Sequence, residues 1–333
     1  MEAAVPAAGG AAPTAAATAL PGAAPHPRSR KAKALFDAHL HIIDPRFPLA
    51  GDQDYRPEPF TVEDYRARTA GLGVTGGAVV AASFQGYGQA HLLAALRELG
   101  PSFVGVAQLP ADTSDSGLRD LHAAGVRALR FNLFRGMADD IDAQVQLGLR
   151  AADLLGWPAE FYLDSRRLPE LAPVIAPLPR VSVDHLGLSA EGLPALLDLV
   201  GSGARVKATG FGRGDLDVAR ALRAIADVNP GALMFGTDLP STRAPRPFRP
   251  SDIELLTEAL GPEQAERALS RNALDFYGVP TPQSRPPGGL TPGKRWRSVT
   301  PGGPGGPPGS AARPGRPPVP APSAPHRSPC AAI

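Results

Sequence analysis

From residue 34 onward the chain alternates between two rhythms of hydrophobic and polar positions. Short runs rich in β-branched and small apolar residues read as buried strands: ALFDAHL (34–40), VTGGAVVAAS (74–83), SFVGVAQL (102–109), VRALRFNL (126–133), AEFYLD (159–164), RVSVDHL (180–186), RVKATG (205–210) and ALMFGTD (232–238). Between them lie longer amphipathic stretches, among them TVEDYRARTAGLG, GQAHLLAALRELG, DAQVQLGLRAADLLG and DLDVARALRAIADV, several ending in Gly as a helix C-cap does. Eight strand-then-helix alternations predict an α/β fold of the (β/α)8 TIM-barrel type over residues 34–280. A doubly wound sheet is the alternative, but no Gly-rich phosphate loop follows the first strand.

Composition changes this picture only at the ends. Residues 1–33 are dominated by Ala, Pro, Gly and Thr, and residues 281–333 hold 15 of the 39 prolines without one Asp or Glu. Neither stretch can bury enough apolar surface to offset the entropy of ordering it, so both are expected to be disordered tails around one domain.

Charge and cysteine use narrow the function classes. The formal net charge of +2 divides into +3 on the first tail, +7 on the second and −8 on the core. An acidic core argues against a specific nucleic-acid surface, and the basic tails read as solvated linkers. The single cysteine, Cys330, excludes an internal disulfide and suits a reducing, cytoplasmic setting. It heads CAAI, which matches a prenylation box over only four residues at the end of a low-complexity tail and reads as chance. No apolar run is long enough to span a membrane, and the Ala-rich start lacks the pattern of a signal peptide.

The candidate chemistry starts in the first strand. In LFDAHLHIID, Asp37, His39 and His41 alternate, and the two-residue period of a strand predicts that all three project from one face. They fall at the C-terminal end of that strand, where a (β/α)8 barrel carries its chemistry. Of the other histidines, His26 and His326 lie in the tails and His91 and His122 in helical patterns. That leaves His185, at the end of the sixth strand, and the eighth strand ends in Asp238. Three imidazoles and a carboxylate are thus expected to meet at the barrel mouth.

DAHLHIID, VDHLG, FGTDLP and the closing SRNALDFYG (270–278) resemble the amidohydrolase-related branch of the amidohydrolase superfamily, and within it the 2-pyrone-4,6-dicarboxylate lactonase-like family. That branch also holds metal-dependent decarboxylases. Many metal-dependent members carry a histidine on the fifth strand, where this chain has Tyr162. The resemblance to the lactonases therefore implies that no metal is required. Should a divalent metal such as zinc bind, its ligands would be His39, His41 and Asp238, a set at the lower end of what zinc usually takes.

The resemblance further implies that Ser83, Arg130, Tyr162 and Arg213 bind substrate. Arginines at a barrel mouth suit carboxylates, because the guanidinium fork makes paired, charge-assisted hydrogen bonds, so a small anionic lactone is the expected partner. Asp238 is expected to be the general base on water, with His39, His41 and His185 polarising the lactone carbonyl. Arg130 shares a strand face with Ala128 and Asn132 and could instead pair with a core carboxylate. Arg135, Arg213, Arg243 and Arg246 lie in loops, where a solvated arginine is the default. Lys207 either points inward or sits on the rim, and Asp37 is expected to orient a histidine. After Asp238 the chain reads LPSTRAPRPF where the lactonase has an aromatic-Pro-His type of sequence, which leaves the substrate ring open. A metal-dependent decarboxylase and a non-catalytic binding protein are the alternatives.

Overall fold

The computed structural model describes residues 34–50, 55–136 and 140–280. The two tails expected to be disordered, and CAAI with them, lie outside the described residues. Eight strands pair in parallel in sequence order: β1 (Leu35–Leu40), β2 (Val74–Val80), β3 (Phe103–Ala107), β4 (Val126–Asn132), β5 (Ala159–Tyr162), β6 (Val181–Val183), β7 (Arg205–Ala208) and β8 (Leu233–Phe235). Helices α1 (Val62–Arg68), α2 (Ala90–Leu99), α3 (Asp115–Ala123), α4 (Ile141–Leu155), α5 (Leu168–Ile175), α6 (Leu193–Gly201) and α7 (Val218–Val228) follow strands one to seven in turn. After β8 come α8 (Ser251–Glu266), broken at Gly261–Pro262, and the short closing α9 (Asn272–Tyr277). This is a TIM barrel. Among the described residues no helix is long and apolar enough to cross a membrane.

The strands end earlier than their apolar runs suggest. β2 stops at Val80 and Ser83 opens a 3-10 turn; β6 stops at Val183 and His185 opens another. The small and apolar residues beyond the last ladder bond stay buried beneath loops, so hydrophobicity alone does not mark where pairing stops. Several site residues consequently sit on turns just past a strand.

Strand alternation builds two cores. Leu129, Phe131, Phe161, Val183, Val206 and Phe235 pack outward with helix residues such as Leu92, Leu147, Leu196 and Ile225. Phe36, Ala38, Val80, Val106, Ala128 and Met234 form a second cluster with Phe276 and Tyr277 of α9, which fills the barrel from below. Burying each large apolar side chain contributes about 1.5–3 kcal/mol.

The barrel closes between β8 and β1 through backbone bonds at the mouth: Asp238 N–H donates to His39 O and His41 N–H to Leu239 O, both at 2.8 Å. Glycine at 236 permits this approach, since a Cβ there would lie 2.6 Å from His39 N. Along β1 the register changes, with Asp37 opposite Gly77 but Leu40 opposite Val79, three steps against two. This bulge breaks the alternation expected from sequence. Asp37 does not join the histidines; it accepts hydrogen bonds from Thr237 N and Oγ1 (2.8 and 2.7 Å), from the Tyr65 hydroxyl of α1 (3.0 Å) and from the backbone N–H of His39 (3.3 Å). Its role is to tie β1, β8 and α1 together, and burial pushes its carboxyl up to about 6.

Candidate active site

The site is assembled from the ends of six strands, and nearly all of it is buried. His39 and His41 come from the end of β1, Ser83 from the turn after β2, Arg130 and Asn132 from β4, Tyr162 from β5, His185 from the turn after β6 and Asp238 from the segment after β8. Arg213 reaches in from the β7–α7 loop. His185 and Asp238 both adopt left-handed backbone conformations, φ 53° and 58°, which cost of order 1–3 kcal/mol each and persist where surrounding structure enforces them.

The imidazole rings meet at the centre. The His39 ring lies 4.9 Å from those of both His41 and His185, and Tyr162 stands edge-on to His185 at 5.1 Å. Burial pulls His39 down to about 3 and holds His41 and His185 well below the usual histidine range, so all three are neutral near pH 7. His41 Nδ1 lies 2.8 Å from Val80 O. A carbonyl only accepts, so that nitrogen carries the hydrogen and Nε2 turns a lone pair to the cavity. This departs from the expectation that all three histidines polarise a carbonyl: neutral His41 presents an acceptor.

Asp238 faces these rings, with Oδ1 at 3.8 Å from His41 Nε2 and 4.0 Å from His39 Nε2. Asp238 Oδ1 and His39 Nε2 are both buried without a hydrogen-bond partner. The other oxygen, Oδ2, accepts from Arg213 Nε at 2.8 Å, and Arg213 Nη2 also donates to Thr242 O. Burial raises the Asp238 carboxyl, and the adjacent Arg213 guanidinium pulls it back down.

Arg130 is anchored as well. Its Nη1 donates to Ala81 O (2.8 Å) and its Nη2 to Asp184 Oδ2 (3.1 Å), while its guanidinium lies 5.3 Å from the Tyr162 ring centroid. The pairing with a core carboxylate, one of the two roles open to this residue from sequence, is thus present. Arg130 also lines the cavity, together with His41, Ser83, His185 and Arg213. Arg135 and Arg243 stand at its rim, their guanidinium groups over Phe134 and Tyr55 at 5.3 and 3.9 Å. Arg246 is spent on Asp252.

Below this layer lies an ionic group that sequence reading missed or left undecided. Lys207 is fully buried; its Nζ bonds Glu160 Oε2 at 2.5 Å and lies 3.3 Å from His39 Nδ1 and 3.7 Å from Asp184 Oδ1. The Tyr277 hydroxyl of α9 donates to Glu160 Oε1 at 2.6 Å. Burial raises the Glu160 carboxyl against the pull of Lys207, whereas at Asp184 burial is opposed by Lys207 and Arg130 and the carboxyl lies well below the carboxylate range. The signal was present: Glu160 and Lys207 alternate with Phe161 and Val206 on β5 and β7, and Asp184 directly follows Val183 at the end of β6.

The donor set suits a divalent ion in geometry. Among the described residues, His39, His185 and Asp238 each offer one ligand atom within 4.8 Å of the others, and His39 Nε2 and Asp238 Oδ1 are unpartnered. His185 takes the place that sequence reading gave to His41. Three protein ligands with an open fourth position is the arrangement of a catalytic zinc site.

Residues 36–279 match the profile of the amidohydrolase family. The chain belongs to that family. It is 34% identical over 156 residues to a 2-pyrone-4,6-dicarboxylate hydrolase of Comamonas testosteroni, a match covering 45% of this chain and 51% of the relative, so it spans about half the length of that protein. A 4-sulfomuconolactone hydrolase of Rhizobium radiobacter is 28% identical over 289 residues, covering 76% of this chain and 95% of the relative. Among solved structures, a putative 2-pyrone-4,6-dicarboxylic acid hydrolase from Pseudomonas putida superposes with a TM-score of 0.66 at 26% identity, covering 74% of this chain and 98% of the other.

Proposed function

We propose that this amidohydrolase-family protein opens a small lactone bearing carboxylate or sulfonate groups. The observation that carries this reading is the unpartnered pair formed by Asp238 Oδ1 and His39 Nε2, 4.0 Å apart and buried against His41, His185 and Arg213, which line a cavity together with Arg130, Arg135 and Arg243. A water on Asp238 Oδ1 loses its proton to that oxygen as it attacks the lactone carbonyl carbon. Arg213, bound to the other oxygen, favours the ionised form of Asp238 against the effect of burial. His39, His185 and the Tyr162 hydroxyl face the developing oxyanion, each well-placed donor stabilising it by a few kcal/mol. The ring C–O bond then breaks, and the departing oxygen takes back the proton held by Asp238. His41 accepts a hydrogen bond from the water or substrate through Nε2. Arg135 and Arg243 at the rim, with Arg130 behind them, supply the cationic surface for the anionic substituents, and Ser83 adds a neutral contact.

His39, His185 and Asp238 would hold a divalent ion, which would supply Lewis-acid polarisation of the carbonyl. The same three donors favour a second reading, a metal-dependent decarboxylase. One experiment separates the two: hydrolysis of a lactone panel, neutral, carboxylated and sulfonated, by protein treated with chelator and by protein supplied with zinc. The lactonase reading expects turnover of the anionic members; its candidates are 2-pyrone-4,6-dicarboxylate and 4-sulfomuconolactone. No turnover of any lactone in either state would overturn it.

A further inference from the structure

Two histidines of one motif meet unlike partners at Nδ1. His41 Nδ1 faces a backbone carbonyl, which only accepts. His39 Nδ1 faces the Lys207 ammonium at 3.3 Å, which only donates. Asp184 Oδ1 lies farther from His39 Nδ1, at 3.5 Å, and its partner oxygen Oδ2 is held by Arg130. Lys207 cannot turn away, because its ion pair with Glu160 fixes Nζ from the other side and the Tyr277 hydroxyl fixes Glu160 in turn. Neither Lys207 nor Glu160 has any exposure to solvent.

We propose that Lys207 is a positioning residue that sets the His39 ring with its hydrogen on Nε2, the tautomer opposite to that of His41. The HxH pair then presents one N–H donor and one lone pair on the side of Asp238 Oδ1, which lies 4.0 Å from His39 Nε2 and 3.8 Å from His41 Nε2. The donor points to where a lactone carbonyl oxygen would stand beside Asp238, and the lone pair is free to accept from water. The same arrangement disfavours a metal ion, because coordination through His39 Nε2 needs a bare nitrogen there. For that the ring hydrogen must move to Nδ1, turn to Asp184 and give up the bond from Lys207. The geometry of the donors suits an ion, while the hydrogen inventory set by Lys207 works against one. This inference goes beyond the proposed activity; it concerns hydrogen positions in the resting protein and stands whether or not the substrate is a lactone.

The test is the ring tautomer itself. In 15N-labelled protein, long-range 1H–15N correlations of the histidine rings, assigned with His39→Gln and His41→Gln variants, should give His39 as Nε2–H and His41 as Nδ1–H. His39 found as Nδ1–H overturns the proposal with no further variant needed. In the double variant Lys207→Met/Glu160→Gln, which removes the donor without leaving a buried carboxylate unpaired, His39 should convert to the Nδ1–H form facing Asp184. Zinc affinity measured by calorimetry should then rise by about tenfold, the weight of one hydrogen bond to a charged group. A folded double variant in which His39 keeps Nε2–H overturns the role of Lys207, and unchanged zinc affinity overturns the bias against metal.

Discussion

Arg213 grips one oxygen of Asp238, with both Nε and Nη2 at 2.8 Å from Oδ2, and leaves Oδ1 buried without a hydrogen-bond partner. The pair makes the two carboxylate oxygens unlike: one is held by a cation that favours the ionised form against the effect of burial, and the other is left without a partner. Arg213, which the resemblance assigns to substrate binding, lines the cavity and is bonded to Asp238 and Thr242.

The pH dependence of turnover follows from this pair. A base must be ionised to work, so kcat/KM should fall on the acid side through the pKa of Asp238. Burial raises that value, and the acid limb is expected above the ordinary aspartate range near 4. Arg213→Met removes a charge that favours the ionised form, so the limb should move to higher pH. A pH–rate profile checks both statements; a limb shifted to lower pH in the variant would contradict the assignment.

Arg130 and Arg135 should fail in different ways. Arg130→Met strands Asp184, fully buried and paired with Arg130 at 3.1 Å, and removing one partner of such a pair costs about 3–5 kcal/mol of stability. Arg135 sits at the rim, so Arg135→Met should leave the melting temperature nearly unchanged. It should lower kcat/KM for an anionic lactone about tenfold to hundredfold, the loss expected for one charge-assisted contact. A neutral lactone of the same ring should be little affected, and equal losses on both substrates would contradict a rim clamp.

Below the site, Tyr277→Phe deletes the hydroxyl that donates to Glu160. An unsatisfied buried acceptor costs about 1–3 kcal/mol, and for a domain of this size each kcal/mol lowers the melting temperature by about 2–4 °C. Thermal denaturation checks this, and an unchanged midpoint would mean that Glu160 finds another donor.

The eight-strand order and the convergence of His39, His185 and Asp238 were legible because strand-type runs carry the site residues at or just beyond their C-terminal ends. What could not be read reflects features to which the period of a strand is blind. The bulge in β1 separates Asp37 from His39 although both stand at alternate positions. Lys207 and Glu160 were obscured for another reason: a charged residue in a strand looks like a rim residue until its partner on another strand is known. Arg130 showed its inward face by alternation with Ala128 and Asn132, but not its partner Asp184, which is distant in sequence. The division of the histidines into acceptor and donor depends on what lies behind each Nδ1, and sequence does not carry that information.

The role proposed for Asp238 is that of base on an anionic lactone. Its most direct test is kcat/KM of wild type and Asp238→Asn, after chelator treatment and with folding verified, on a carboxylated lactone and its neutral ring analogue. The wild type should favour the carboxylated substrate by about 30-fold or more, the equivalent of about 2 kcal/mol of charge-assisted binding. Asp238→Asn should lose about 10² or more on both, the usual contribution of a general base. Wild-type rates that do not distinguish the two lactones, or an Asp238→Asn variant that turns them over at the wild-type rate, would contradict that role.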